Sequence, residues 1–494
     1  MFAVSVAEMR EMEQAAMAAG VHEYELMCRA GNAAADLIEF HYPAPGRIVV
    51  LCGGGNNGGD ALVCARRLRE RYRREVVIFS PRGINSFSNC AKFAALDLPD
   101  DIPFEECDNI DHVHFYPGDV IVDGLLGIGY AGGQIRENVA AYIRKVNTVS
   151  LPVVALDLPS GLSGDTGEIS DAGAVNAALT ITFGAAKSGL FSKEGSLCRG
   201  MLRVVDIGLD VEKCSGKVEY FTNIDAQRSV SYPACDCHKN SRGRILVWGS
   251  SEKYPGAAAL TAEAALRCGS GIVRLVSCGR CDRNLPKAVI FHHIPNGSDP
   301  GREAEQFFDC SDVLVAGCGW GDETPAEALK TVQRFPGVVV LDADALNIIS
   351  RSPEIWQARD NVIMTPHPGE AARLARAVGI ADGMEREKLA LALAEKYHAC
   401  IVLKGRDTII ALPDGQAVVN TSGNFKLATA GSGDVLAGCI GAFAASGLPL
   451  KESAALGAYL HGIAGESAEG GLIADELPLL AGKALTAIRE KRIF

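Results

Sequence analysis

The sequence has no excess of positive charge: Lys plus Arg number 48 against 60 Asp plus Glu, a net charge of −12. An acidic chain is a poor electrostatic partner for nucleic-acid or membrane phosphates, so neither is expected as a partner. Any phosphate ligand must then be held locally, by backbone amides, a single Lys or a metal ion. No apolar run reaches the ~18 residues of a membrane helix. The N-terminus, MFAVSVAEMREMEQ, is acidic and soon amphipathic, unlike a secretory leader. A cytoplasmic location is expected. Low-complexity segments and short internal repeats are also missing. With 48% hydrophobic and 22% charged residues, the composition excludes a disordered chain, a fibre and a small disulfide scaffold. At roughly 150 residues per domain, the 494 residues suggest two or three domains.

Two residue types are abundant. Glycine numbers 54, about 11% against a usual ~7%. Cysteine numbers 16. In a chain without a leader, most of these thiols are expected to be reduced, small and buried. Cys235-Asp-Cys237-His238 and Cys278-Gly-Arg-Cys281 could together supply four zinc ligands. Neither has a zinc-ribbon context, and no metal is assigned to them.

Along the chain, Ser5 and Glu8 form a capping box that predicts a helix start. Strand-like runs at 47–52, 75–79, 119–123, 153–158 and 202–207 alternate with helical stretches such as 61–72. This alternation is the pattern of βαβ units and a parallel sheet. The segment 209–242 is polar and mixed. The pattern restarts at 244–248, with strands near 272–276, 313–316, 338–342, 362–364 and 400–403, and helices over 257–268 and 387–397. The reading is an α/β chain of two domains, 1–222 and 223–494.

The glycines concentrate after strands. Residues 52–60 read CGGGNNGGD, between a strand and a helix. Glycines at a helix N-terminus let backbone N–H groups approach a phosphate, while Asn56, Asn57 and Asp60 offer oxygens to a hard cation or to hydroxyls. Further loops begin at Asp123 and Asp157. In an open parallel sheet the C-terminal strand ends share one edge, where ligands bind, so Asn57, Asp123, Asp157 and Ser160 are expected to converge. The segments NNGGD, DGLLGIG, ALDLPSGLSGDTG, TFGAAKSGL and VVDIGL resemble the YjeF N-terminal family, the NAD(P)HX epimerases. The resemblance covers roughly residues 1–220 and implies a Rossmann-like three-layer αβα fold. It implies that Asn57, Asp123 and Ser160 help hold K+. It also implies that Asn56, Asn57, Gly58, Gly59, Asp60, Gly127, Ile128, Gly129, Tyr130, Ala131, Gly132, Gly133 and Asp157 contact the hydrated dinucleotide. Asp157 is assigned as the catalytic carboxylate. Ala61 stands where that family commonly has Gly, and its small methyl is expected to be tolerated.

In the second half, ATAGSGDVLAG (428–438) opens an apolar helix with a glycine loop. Asp434 is placed there to deprotonate a hydroxyl attacking a phosphoryl group. Thr365–Glu370, Lys404–Thr408 and Leu341–Leu346 follow other strands. YPGAAALTAEAALRCGSG (254–271), TPHPGE (365–370), KGRDT (404–408) and AGSGDVLAG (430–438) resemble the ADP- or ATP-dependent NAD(P)HX dehydratases over about 225–494. That implies a ribokinase-like αβα fold. It also implies that Lys404, Gly405, Arg406, Asp407, Thr408 and Gly433 bind the nucleotide, while Ala257, Gly319, His367 and Asp434 face the substrate. Gly317-Cys318-Gly319-Trp320-Gly321 replaces the more usual GPGLG, and Trp320 is expected to narrow that edge. The combined expectation is a bifunctional enzyme acting on NADHX and NADPHX, with K+ in the first domain and ADP with Mg2+ in the second. A homo-oligomer is compatible with it. The alternative is a small-molecule kinase of sugars or vitamin precursors, fused to a non-catalytic binding module.

Overall fold

The run Ile48–Cys52 (β1) is buried along its whole length, a state that requires helices on both faces of the sheet. Its side chains alternate accordingly. Val50 joins one apolar cluster with Leu26 and Leu62, and Val49 and Leu51 join another with Val139 and Ile143. The computed structural model describes residues 1–44, 46–211, 218–230, 232, 236–280, 285–321 and 324–490. They form two compact units that divide between Glu219 and Tyr220.

In the first unit β1 is followed by Val76–Ser80 (β2), Phe104–Glu106 (β3), Val120–Gly124 (β4), Val153–Leu156 (β5), Leu179–Phe183 (β6) and Met201–Val205 (β7). The spatial order is β3-β2-β1-β4-β5-β6-β7, all parallel. The strand order reverses beside β1 and β4, which opens a crevice at their C-terminal ends. The capping box forms as expected: Ser5 N–H donates to Glu8 Oε2 at 2.7 Å, and Glu8 N–H to Ser5 Oγ at 3.2 Å.

One boundary differs. The helix after β1 spans Asn56–Tyr72, not 61–72, so NNGGD is its first turn. Glycine is a poor helix former, but here close packing overrides propensity. A Cβ on Gly58 would lie 1.9 Å from Gly53 O, and one on Gly59 would lie 2.4 Å from Met27 Cε. Ala61 fits because it faces Gly124, where a Cβ would stand 2.5 Å from the Ala61 methyl.

The second unit holds a ten-stranded sheet. Its strands are Glu219–Phe221 (β8), Arg244–Trp248 (β9), Ile272–Ser277 (β10), Ile290–His293 (β11), Val313–Ala316 (β12), Val338–Leu341 (β13), Val362–Met364 (β14), Cys400–Leu403 (β15), Ile409–Ala411 (β16) and Ala417–Asn420 (β17). The order is β11-β10-β9-β12-β13-β14-β15-β16-β17-β8. The run from β11 to β15 is parallel, and β16 and β17 add antiparallel strands. Helices Ala257–Arg267, Ser432–Ala445 and Leu450–Glu466 cover one face, and Asp344–Arg351, Pro368–Ala377 and Arg386–Tyr397 the other. Among the described residues, no helix is long and apolar enough to cross a membrane. Cys235 and Cys281 lie outside the described residues; His238 instead caps the turn Lys239–Arg242, its Nδ1 accepting Ser241 N–H at 3.2 Å.

Candidate active sites

In the first unit, a cavity of about 600 Å³ opens at the C-terminal edge of the sheet. Asn56, Asn57, Asp60, Asp157 and the loop Gly127–Tyr130 line it. Gly58 and Gly59 do not line it, being used for packing inside the fold. Ala131, Gly132 and Gly133 continue the loop beyond the cavity lining, where Tyr130 Oη donates to Gly133 O at 2.7 Å.

Asp157 follows β5 with φ +62, a strained conformation for a residue with a side chain, of the kind that clusters at functional sites. Its N–H is anchored on Ile181 O at 2.7 Å. The ammonium of Lys187, fully buried after β6, donates to Asp157 Oδ1, to Phe183 O at 3.0 Å and to Thr182 Oγ1 at 3.2 Å. All three Lys187 donors are thereby used, which fixes both partners. Asp157 Oδ2 has no protein hydrogen bond among the described residues and belongs to a side chain that lines the cavity. Asp60, Glu13 and Glu23 share it. Asp60 is pushed well above the usual carboxylate range by burial, reinforced by the charges of Asp157 and Glu13. Burial also raises Glu13. The cavity thus presents one ion-paired carboxylate beside two carboxyl groups whose proton affinity burial raises.

Asn57, Asp123 and Ser160 meet at the crevice between β1 and β4. Asn57 Nδ2 donates to Leu126 O at 2.8 Å, and its buried Oδ1 has no partner. Asp123 is wholly buried and accepts Ser160 Oγ–H at 2.6 Å, Ser160 N–H at 2.8 Å and Leu125 N–H at 3.2 Å. Burial raises it to about 6 against these hydrogen bonds, and no cationic side chain offsets it. An orphaned amide oxygen beside an uncompensated buried carboxylate fits a hard monovalent cation.

In the second unit, strand ends converge around Lys404. Its Nζ lies 2.7 Å from Asp342 Oδ1 and 3.9 Å from Glu370 Oε2. Asp342 also accepts Thr365 Oγ1–H at 2.8 Å. Gly431, with φ +88, turns the chain into the helix Ser432–Ala445. A Cβ on Gly433 would come within 3.2 Å of Lys404 Nζ, so the ammonium sits over the glycine loop. Backbone amides, a helix N-terminus and one half-buried ammonium stand together here, groups of the kind that suit an anion.

Asp434, in the first turn, is pushed up to about 7 by burial and by the charge of Asp342. Burial likewise raises Glu370 to about 7. Three carboxyl groups around one ammonium leave room for a cation, and ligand atoms of Asp342, Asp434 and Cys318 lie within 4.8 Å of one another. The two carboxylates suit Mg2+; the Cys318 thiol, raised by burial, serves as a hydrogen-bond donor to Asp434. Gly319 packs against Ala257, where a Cβ would approach within 2.7 Å. His367 caps Pro368–Ala377, its Nδ1 accepting Gly369 N–H at 3.0 Å, while its ring stays half exposed. In the segment 404–408, Gly405 and Asp407 have positive φ, and Arg386 holds the Leu403 and Lys404 carbonyls at 3.4 Å.

Trp320 does not narrow the edge. It is buried against Trp248, with ring centroids 4.9 Å apart, and its Nε1–H donates to Trp248 O at 2.9 Å. The free energy of burying an indole outweighs its display at the rim.

The model of the family described as "YjeF-related protein N-terminus" matches residues 23–189, and that described as "NAD(P)H-hydrate dehydratase" matches 245–486. A bifunctional NAD(P)H-hydrate repair enzyme from Coxiella burnetii is 35% identical over 95% of this chain and 96% of its own. The chain belongs to the bifunctional NAD(P)H-hydrate repair enzyme family. Relatives of the same description include those of Gloeobacter violaceus, 37% identical over 94% of this chain and 92% of its own, and Escherichia coli, 34% over 92% and 87%. A ribokinase-like superfamily protein from Enterococcus faecalis covers 56% of this chain and 99% of its own at 21% identity and TM-score 0.49.

For this member of the family, motif reading missed Lys187, Glu13, Asp342 and Glu370 as site residues. Lys187 follows a strand, in TFGAAKSGL, and its position at the shared sheet edge was the available signal. Asp342 offered the same signal after β13. Glu13 lies on the N-terminal helix Val6–Ala18, far from any motif.

Proposed function

We propose that the first unit interconverts R- and S-NAD(P)HX, and that the second dehydrates S-NAD(P)HX to NAD(P)H at the expense of ADP, giving AMP and phosphate. The observation that carries this reading is a carboxylate beside a lysine at each sheet edge: Asp157 paired with the buried Lys187, and Asp434 close to Asp342, which itself pairs with Lys404.

In the first reaction the carbinol carbon beside the ring nitrogen must open and reform. Asp157, fixed by Lys187, stabilises cationic character on the ring and moves the hydroxyl proton. Asp60 supplies a neutral carboxyl as hydrogen-bond donor. Bound K+ would add positive charge near the dinucleotide phosphates, held by Asn57, Asp123 and Ser160.

In the second reaction Asp434 accepts the substrate hydroxyl proton as the oxygen attacks the terminal phosphoryl of ADP, and AMP leaves. The amides of Gly431–Gly433 and Lys404 stabilise the transferring group. Mg2+ would neutralise nucleotide charge, with Asp342 and Asp434 as its nearest carboxylates. The phosphate ester then departs, driven by the ring nitrogen lone pair, and loss of a proton from the adjacent carbon restores the reduced ring. Lys404–Thr408 and Gly433 bind the nucleotide, and Ala257, Gly319 and His367 face the substrate. We place these reactions in the cytoplasm.

The test is incubation of the full chain with an epimeric mixture of hydrated NADH plus ADP. Complete conversion to NADH with stoichiometric AMP and phosphate is expected. Conversion stopping near one half would sink the epimerase assignment, and a stable phosphorylated product would mark a kinase instead.

A further inference from the structure

Arginines in the first unit are mostly spoken for. Arg47, Arg66, Arg67, Arg69 and Arg74 each pair with an Asp or Glu. Arg10, Arg82 and Arg136 differ. Among the described residues their guanidinium groups have neither an ion pair nor a hydrogen bond, yet all three side chains line the same cavity as Asn57 and Asp157. Arg82 is the one set against the glycine turn. Its backbone is fixed: Ser80 Oγ–H donates to Arg82 O at 2.8 Å, and Arg82 N–H donates back to Ser80 Oγ at 3.3 Å. Its stem lies across the glycine turn, with Cδ 3.7 Å from the place a Cβ on Gly54 would take.

The position is informative. Arg82 stands two residues past β2, beside the crevice at β1. In a parallel sheet of this order, a dinucleotide places its pyrophosphate at the β1 turn, and the end of the next strand faces the adenosine ribose. An acid there accepts the free 2′-hydroxyl, whereas an arginine accommodates a 2′-phosphate. Ser80-Pro81-Arg82-Gly83 carries no acid. Glu106, at the end of β3, reaches back to Gly83, where a Cβ would lie 2.6 Å from its Oε2, but forms no pair with Arg82. Asp157 lies at the opposite end of the cavity edge, beyond β4. The distribution is thus a reacting end at β5, a cation site at β1 and β4, and Arg82 as the unpaired guanidinium at the end of β2, with Arg136 following the loop after β4 and Arg10 on the N-terminal helix.

We infer that Arg82 is a specificity residue that binds the 2′-phosphate of the substrate, so that the first unit prefers NADPHX to NADHX. This rests on the epimerase reading above and adds to it which dinucleotide is favoured. A guanidinium–phosphate contact is charge-assisted and commonly bidentate.

The experiment measures epimerisation of purified R-NADPHX and R-NADHX by the full chain, by chromatographic separation of the epimers. The wild-type protein should show kcat/KM at least about tenfold higher for NADPHX, and Arg82→Gln should lower that ratio by about tenfold or more, mainly through KM. Arg82→Lys, which keeps the charge without the planar fork, should give an intermediate ratio. Equal kcat/KM values in the wild-type protein, or a ratio unchanged in both variants, overturn the inference. Failure to epimerise either substrate would instead overturn the epimerase reading. Should Arg82→Gln fold poorly, the Lys variant and the wild-type ratio still decide the matter.

Discussion

The Asp157 carboxylate and the Lys187 ammonium form a buried ion pair between residues that follow adjacent strands, β5 and β6. Removing the lysine would leave an uncompensated carboxylate near Asp60 and Glu13. Lys187→Met should therefore slow epimerisation about a hundredfold or more and destabilise the first unit by about 3–5 kcal/mol. An unchanged rate and Tm would show that Lys187 does not hold Asp157 in place. Asp157→Asn, which keeps the shape, should abolish most of the rate while dehydration of supplied S epimer continues.

Dehydration should depend on an ionised Asp434. With its proton affinity pushed up to about 7, the rate should fall about tenfold for each pH unit below that value and level off above it. Asp434→Ala should lose dehydration and keep epimerisation. The Cys318 hydrogen bond lowers Asp434, so Cys318→Ala should shift the limb to higher pH. Rates measured from pH 5 to 9 check both; a shift downward would contradict the bond.

Potassium should stabilise the first unit in a pH-dependent way. Burial raises Asp123 to about 6, so its protonated form favours the fold below about pH 4, and that contribution is lost as pH rises through 6. A cation held by ionised Asp123 offsets the loss. Replacing choline chloride by KCl at equal ionic strength should raise Tm more at pH 8 than at pH 5, and Asp123→Asn should erase the difference. An equal rise at both pH values would place the potassium effect elsewhere.

Ser432 and His461 form a buried hydrogen bond at 3.0 Å, with the imidazole held neutral at about 4 by burial. Ser432 sits between the two glycines of the anion loop, so this bond steadies the loop. His461→Leu should raise KM for ADP several-fold through the loosened loop while leaving epimerisation intact. An unchanged KM would make the pair a matter of packing alone.

Strands buried on both faces, such as Val313–Ala316 and Cys400–Leu403, were legible because an unbroken apolar run between turn residues has few other uses. Phe104–Glu106 was not, being one half-buried residue followed by two exposed glutamates, and it exists through pairing with β2. The first turn Asn56–Asp60 was hidden because its glycines argue against a helix until the facing backbone is known. The motif residues around both strand-end edges were legible, as conformationally special glycines and acids after strands. Glu13 depends on burial and on neighbours distant in sequence, which no local pattern encodes.

The contact between Trp248 and Trp320 has an optical consequence. The sequence holds three tryptophans, and Trp248, Trp320 and Trp356 all lie buried in the second unit. Emission excited at the red edge of indole absorption therefore reports that half alone, and a denaturant titration followed this way is blind to the first half. Paired with far-ultraviolet circular dichroism, which senses both, a single sample separates the melting of the two halves without any label.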